Sequence, residues 1–474
     1  MGSLAPYEAY KVEWERTAGD WRDITSYVEH LELVLVRASG SDTSEPSTGT
    51  LTLNNADHRF TPGNTTSPEY PYWRQARRVR CRETIGNRSF DTCLMWTQPP
   101  EIEDWVASGD QSITVPLVDG LGRLDTARTF ISTLTEHILH NGGSALKAYY
   151  PMGDGRARFA NQSAYAQADL VPVIVGDDRS GYFPVTGENK VTPQGGPTLP
   201  ADETQPASYT TKSLDIGVGL TTGGYVTSEA TVAVPMSASQ VLTVVAWVYP
   251  TTNTTRTGHR PFLVKCNDTG GGGGTTNIYL QNNDAGTSFN PGIFECNLSG
   301  SSLTSTILGG TWAANTGPFP VAARYGFNPS LFELWVGGRV LTGTVTGSAP
   351  TSSQLTYLAI PESNWSGSIA HAQVYIGAAS DFTHDMYLEQ VDVGLNGMAR
   401  QRVDERIRTL LRYAGLTDAD LLLDVGVAVM GQASLAGNRP GTLVRAAADT
   451  ERGRLFVDGA GRVVFHNRTR TYNV

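Results

Sequence analysis

Two carboxyl groups held about 5 to 9 Å apart across a glycosidic bond are enough to hydrolyse it, so acids two positions apart on a strand are weighed first. The closest such set is Glu101, Glu103 and Asp104 in PPEIEDW. A solvated turn explains it with fewer assumptions, and acids in the long centre of the chain, such as Glu295 and Glu333, stand singly. Nucleophilic catalysis has no G-x-S-x-G elbow to work from. His137 and His140 are spaced i, i+3, but two imidazoles without a third ligand make a poor metal site, and a surface pair is expected. Oxygen-rich loops are a better prospect for calcium, which Asp268, Asn277, Asn282 and Asp284 would ligate. The four cysteines, Cys81, Cys93, Cys266 and Cys296, show no CxxC spacing. Buried free thiols are the first expectation, and a Cys81/Cys93 pair on neighbouring strands is the alternative. No catalytic set emerges, and the chain is read as a non-enzyme.

A binding role has more to stand on. In GTLTLNNADHRFTPGNTTSPEYPYWRQARRVR, residues 49–80, alternation ends at Asn54-Asn55, and Pro62, Pro68 and Pro71 then forbid a regular element. A loop of this length inside a domain is unusual unless it grips something, and Tyr70, Tyr72 and Trp73 carry rings of the kind enriched at contact surfaces. The strand that follows turns Val79 and Cys81 inward and Arg78, Arg80 and Arg82 to the opposite face. That face is either a solvated edge that discourages aggregation or an intersubunit contact.

These groups need a scaffold, and composition says it is β-structure. The 474 residues leave room for about three domains, and 51 glycines and 25 prolines among many Thr, Ser and Val residues indicate short strands and tight turns. YKVEWER, HLELVLVRA, TGTLTLNN, RRVRCRET and QSITVPLVDG alternate with period two, so residues 1–140 are expected to form a small barrel or sandwich of five or six strands. Residues 145–380 are sparsely charged and contain about ten further short strands, from KSLDIGVG to SGSIAHAQVYIG. They predict a jelly-roll sandwich inserted between the flanks, with Trp247 and Trp335 in its core. Residues 381–474 predict a small α+β segment. RVDERIRTLLRYAG places Val403, Ile407, Leu410, Leu411 and Ala414 on one helical face, with Gly415 as its stop. TLVRAAAD adds a second helix with Leu443, Ala446 and Ala447 packed, and RLFVDGAGRVVFHNR a hairpin. A net charge of -10 argues against general nucleic-acid binding. No signal-peptide core or membrane-spanning run is present, so synthesis in the cytoplasm and a soluble product are expected.

The flanks resemble a known family. W-x-D-I-T-x-Y-V (Trp21, Asp23, Ile24, Thr25, Tyr27, Val28), GTLTLNNADHRFTPGN with SPEYP, the arginine strand and LVDGLGRL follow one another as in minor tail or tail-hub proteins of long-tailed phages infecting actinobacteria. RAAADTERGRLFVDGAGRVVFHNR is similar to the later hub segment. The centre resembles a laminin-G-like, concanavalin-type domain through AYYPMGDG, SLDIGVG, VVAWVYPT, LWVGGRV and WSGSIAHAQVYIG. The 31 arginines against 5 lysines suit a GC-rich genome.

The resemblance implies a mainly β protein of the tail tip or baseplate hub, with a tail-tube-like β-barrel, an inserted laminin-G-like domain and an α+β hub segment. It implies a ring of like subunits, often a homotrimer. Distal-tail, tape-measure and other tail-tip proteins are the implied partners, and the inserted domain binds host-surface glycans. Location in the virion, without a membrane anchor, follows. Tyr70, Tyr72, Trp73, Arg78, Arg80 and Arg82 become docking elements. The centre departs from calcium-dependent members in lacking a clear acidic ligand pair. A distal-tail-type ring protein with a decorative domain and a secreted carbohydrate-active enzyme are the alternatives. The end at RTYNV, directly after a strand, leads to the expectation that the natural chain continues.

Overall fold

Alternating segments become strands where one face can be buried, and they do so here from the first described residues. The computed structural model describes residues 9–35, 45–85, 88–99, 111–150 and 367–472 continuously, and between 151 and 366 the strands given below with short connecting stretches. The chain is mainly β and divides into two compact units, one of Met1–Ile131 with Met398–Val474, the other of Ser132–Gly397.

In the first unit, β1 (Ala9–Thr17), β2 (Asp20–Asp23), β3 (Val28–Val34), β4 (Thr48–Asn54), β5 (Arg78–Ile85), β6 (Arg88–Thr97) and β7 (Ser112–Val118) form one antiparallel sheet. Its order is β2-β1-β5-β6-β7-β4-β3. Inward residues of β1, β4, β5, β6 and β7, among them Trp14, Leu51, Val79, Met95 and Val115, share a single core, so the sheet curls around its own interior. No ladder joins β2 to β3 among the described residues, and the sheet is open where a barrel was expected. The turn Thr25–Tyr27 intervenes there. Val12 spends its backbone groups on that turn, its amide donating to Thr25 Oγ1 at 3.0 Å and its carbonyl accepting from the Ile24 amide at 2.9 Å.

Helix α1 (Gly120–Thr126) starts at Asp119, whose carboxylate accepts from the Gly122 amide, an N-cap of the usual kind. Leu121 and Leu124 of α1 are buried in a second core built from the far end of the chain. That core contains the helices Val403–Tyr413 and Pro440–Glu451 and the three-stranded sheet of Leu421–Leu423, Val463–His466 and Arg454–Val457. The first helix buries Val403, Ile407, Leu410 and Leu411 and ends before Gly415 at φ +86°. In the second, Ala447 is buried and Leu443 packs partly buried as expected, but Ala446 is exposed, and Val444 and Ala448 are buried in addition. That helix begins at Pro440 rather than Thr442 and runs to Glu451, and its inward stripe follows the longer span.

The second unit stacks two antiparallel sheets. One contains Leu214–Ile216, Gly367–Gly377, Val241–Pro250, Phe319–Gly326, Leu331–Val336 and Arg339–Thr342 in that order, and Leu146–Tyr150 also pairs with Gly367–Gly377. The other has eight strands, from Thr346–Gly347 to Val191–Thr192, and its strand Leu303–Trp312 approaches Leu331–Val336. Val244, Val245, Ala246 and Trp247 are all buried in succession, so the first sheet is covered on both faces. Trp247 and Trp335 are core residues as expected, each 1% exposed.

The helices Thr133–Asn141 and His384–Asn396 cover the face that carries Trp247, which places them in this unit rather than in the flanks where boundaries at 140, 145 and 380 had put them. The close approach requires Gly394, since a Cβ there would overlap the Trp247 ring. No described helix is long and apolar enough to cross a membrane.

Candidate functional site

The aromatic loop is a ladder of turns. Amides of His58, Thr61, Asn64, Ser67 and Tyr70 each donate to the carbonyl three residues earlier, from Asn55 to Ser67, at 2.8–3.3 Å. Side chains brace the steps two residues on: Asn54 accepts from the Ala56 amide, Asp57 from Arg59, Asn64 from Thr66 and Ser67 from Glu69. This local bonding explains the loop's Asn, Asp, Ser and Thr content. Asn55, 5% exposed, fixes the first turn by accepting from the Phe60 amide at 2.8 Å and donating to Thr61 Oγ1 at 2.9 Å.

The ladder directs its aromatics inward. Phe60 and Trp73 pack with centroids 4.8 Å apart, and Trp73 meets Trp14 edge-on at 5.0 Å. Trp73 is therefore a core residue and not a docking element. Tyr72 is half-buried beneath the Arg16 guanidinium, 4.3 Å from its ring centre. Of the three expected contact rings, Tyr70 alone is exposed, at 46%.

Arg78, Arg80 and Arg82 share one face of β5, as alternation requires, but β5 lies inside the sheet, so it is no solvated edge. Each has a carboxylate partner. Arg78 pairs with Glu15, Arg80 Nε donates to Glu13 Oε2 at 2.7 Å, and Arg82 Nε donates to Asp91 Oδ1 at 2.9 Å. Trp21 lies 4.1 Å from the Arg80 guanidinium. Burial by itself would raise the Glu15 carboxyl, but the Arg78 guanidinium and the Gly19 amide outweigh it and hold the group below the ordinary carboxylate range. The face is a neutralised cross-strand network that ties β1 to β5 and β6.

A surface the sequence reading passed over lies in the C-terminal segment. Val425, Val427 and Val429 alternate outward, 59%, 50% and 65% exposed, with Leu422 also exposed. Side chains and a short stretch of backbone pairing hold this backbone: Arg402 and Val429 form an isolated antiparallel bridge, and the Val403 amide donates to the Ala428 carbonyl at 3.1 Å. Asp404 Oδ1 accepts from the Gly426 amide at 2.8 Å, and Glu451, fully buried, accepts from the Val427 amide at 3.0 Å and the Ala428 amide at 2.7 Å. Arg400 and Gln401 complete the rail through Met430, at 2.9 Å each. The rail runs so close to Asp404 that a Cβ at Gly426 would lie 3.0 Å from its amide nitrogen. The result is a β-branched apolar row presented on a fixed backbone. Period two in DVGVAV was the available signal.

The other candidates separate. Asp268 faces Gly274 and Asn282 faces His259 across one hairpin, so Asp268 and Asn282 stand at its opposite ends. Asn277 is five residues from Asn282, roughly 17 Å along a strand, and no single calcium ion can take all three. Asp284, and likewise Glu101, Glu103 and Asp104, lie outside the described residues. His137 is buried rather than superficial, and desolvation, followed by the charge of His140, pushes its imidazole down to about 4. A cleft of 570 Å³ separates Asp91–Met95 from the hairpin carrying Arg454, Phe456, Asp458 and His466. Its acids are spent: Asp91 on Arg82, Asp458 on Arg462, and Asp119 on the amides of Gly122 and Ser47. Among the described residues no group of three His, Cys, Asp or Glu side chains is placed to hold a metal.

No protein-family model matches the chain, and no curated protein matches it in sequence. Solved structures overlap it distantly. A Trypanosoma rangeli sialidase in complex with sialic acid aligns at 12% identity and TM-score 0.27, over 78% of this chain and 56% of that one. The chain thus spans little more than half the sialidase. A legume lectin-like domain from Entamoeba histolytica aligns at 10% identity and TM-score 0.24, over 35% of this chain and 84% of that one. The CBM40 domain of a Ruminococcus gnavus sialidase, bound to α2,6-sialyllactose, aligns at 14% identity and TM-score 0.21, over 33% and 84%. At such scores these likenesses carry no argument about activity.

Proposed function

We propose that this chain is a structural component of a long-tailed phage's tail tip. In this reading the first unit packs with its copies into a ring continuing the tail tube, and the second presents a carbohydrate-binding surface to the host. One observation carries it: residues before Ile131 and after Met398 build a single unit, so the central sandwich is an insertion into a module assembled from both ends of the chain. The order of hub-like motifs in those same flanks supports the assignment. The sandwich, two stacked antiparallel sheets, is an architecture compatible with lectin-like binding.

Ring contacts fall to surfaces other than those the sequence singled out. Trp73 and the arginine face are used up inside the unit, whereas the Val425, Val427 and Val429 row is rigid, apolar and open, as a subunit contact requires. Tyr70 is the one loop ring left to join it.

Negative-stain electron microscopy of the purified chain, combined with a glycan array, tests the proposal. Rings that retain a bacterial surface polysaccharide without cleaving it are the expected result. Single particles that cleave the polysaccharide would overturn it in favour of a carbohydrate-active enzyme.

A further inference from the structure

β5 and β6 bring two thiols face to face. Cys81 and Cys93 are cross-strand partners in register, both free, 0% and 5% exposed. Directly opposed residues of an antiparallel pair have Cα atoms about 4.5 or 5.5 Å apart, and both spacings fall inside the roughly 4.4–6.8 Å that a disulfide spans. The register breaks immediately afterwards, since Arg82 faces Asp91 and Thr92 is left as an extra residue on β6. A bulge of this type adds local twist beside the pair.

The pair is also close to solvent. Cys93 lines the 570 Å³ cleft between β6 and the hairpin carrying Arg454 and His466, and Tyr10 of β1, beside Cys81, is 41% exposed. The two sulfurs are unequal. The hydrogen bond from Cys93, helped by that from Tyr10, holds the Cys81 thiol below its ordinary range against the opposing effect of burial, while the same bond and burial push Cys93 up. With Cys81 attacking and Cys93 resolving, or in the reverse order, the product is the same disulfide. The remaining cysteines offer no such pair: Cys266 lies on His259–Thr269 and Cys296 on Gly292–Ser299, with Gly274–Asn283 between them. That separation is roughly 9–10 Å across the sheet, beyond disulfide reach.

We propose that Cys81 and Cys93 form an oxidative modification site, at which a small hydroperoxide converts the pair into a disulfide stapling β5 to β6. In the first order, Cys81, as thiolate, attacks one peroxide oxygen. The O–O bond breaks, the leaving hydroxide takes up the proton Cys81 released, and Cys81 becomes a sulfenic acid. Cys93 then gives up its proton and attacks the Cys81 sulfur, the S–O bond breaks, and the sulfenic oxygen departs as water. Two thiols have lost two electrons and two protons, and hydrogen peroxide has become two waters. The site is independent of the tail-tip reading.

The test exposes the whole folded chain to hydrogen peroxide, then unfolds it, alkylates it and maps its peptides. The expected product is two hydrogens lighter, with Cys81 linked to Cys93, Cys266 and Cys296 alkylated, and full reversal by dithiothreitol. In C93S, peroxide should leave a Cys81 sulfenic acid that dimedone traps. Four alkylated cysteines after peroxide, sulfinic acid without a cross-link, or disulfides between chains or to Cys266 or Cys296 would each overturn the proposal. The wild-type map decides without reliance on any variant.

Discussion

Arg445 grips Asp125 with two parallel hydrogen bonds, Nη1 to Oδ1 at 2.6 Å and Nη2 to Oδ2 at 2.7 Å, between residues 320 apart in sequence. Asp125 belongs to α1 and Arg445 to the helix Pro440–Glu451. The pair fastens the two ends of the chain into one unit, and the Arg439 guanidinium adds a bond to the Asp125 carbonyl. A two-pronged, partly buried ion pair of this kind stabilises by about 1.5–3 kcal/mol. Asp125→Asn should lower the first unit's stability by that amount in urea denaturation, and Arg445→Lys by less. A change under about 0.5 kcal/mol, the level of ordinary surface substitutions, would show that the pair fastens nothing.

The loop makes a contrast between neighbours. Trp73→Ala empties a site between Phe60 and Trp14 and should cost about 3–5 kcal/mol. Tyr70→Ser alters an exposed ring and should stay within about 0.5 kcal/mol. Equal effects in thermal denaturation would contradict the inward-facing ladder.

Glu451 holds the valine rail by its carboxylate. In Glu451→Gln one acceptor oxygen becomes a donor facing two amides, and the Val427 and Ala428 amides should exchange hydrogen for deuterium faster than in the parent chain. Unchanged exchange at those two amides would mean that the rail is fixed by something else.

Acid should act on each unit through a named group. His137 titrates near the ordinary imidazole value of 6.5 when unfolded and at about 4 when folded. Between those values the unfolded chain takes up a proton that the folded chain refuses, so stability is complete above pH 6.5 and falls as pH drops toward 4. The loss is up to about 3 kcal/mol. Glu15 works in the window below: its folded pKa is depressed from 4.5, so its contribution is present above 4.5 and lost as pH falls through the folded value. His137→Gln should flatten the first slope and Glu15→Gln the second, measured by denaturation across pH.

Legibility followed the hydrophobic pattern. β1, β4, β5 and β7 each bury one face and β3 half-buries one, and their alternation was plain. β6 was missed because Cys93, Leu94, Met95 and Trp96 are buried in succession, and a strand covered on both faces has no alternation to read. The helix Val403–Tyr413 was legible because its apolar stripe, acidic first turn and following glycine agree.

The site residues fared worse, for a physical reason. Whether an arginine is free depends on register, and Glu13 and Glu15 become partners of Arg80 and Arg78 only once β1 lies beside β5. Trp73 and Tyr70 look equivalent in a proline-rich loop, yet turn geometry sends one into the core and the other to solvent. The valine rail escaped notice because its backbone pairs only through the short bridge at Arg402 and Val429, and the carboxylates that help fix it come from two separate helices.

The most direct test of the assembly proposal is an electron cryo-microscopy reconstruction of the purified chain, alongside the triple variant Val425→Ser, Val427→Ser, Val429→Ser. The account predicts closed rings in which the valine row of each first unit lies against a neighbouring copy, and a variant that folds but remains single. Rings that leave the row in solvent, or a variant that assembles as well as its parent, would contradict it.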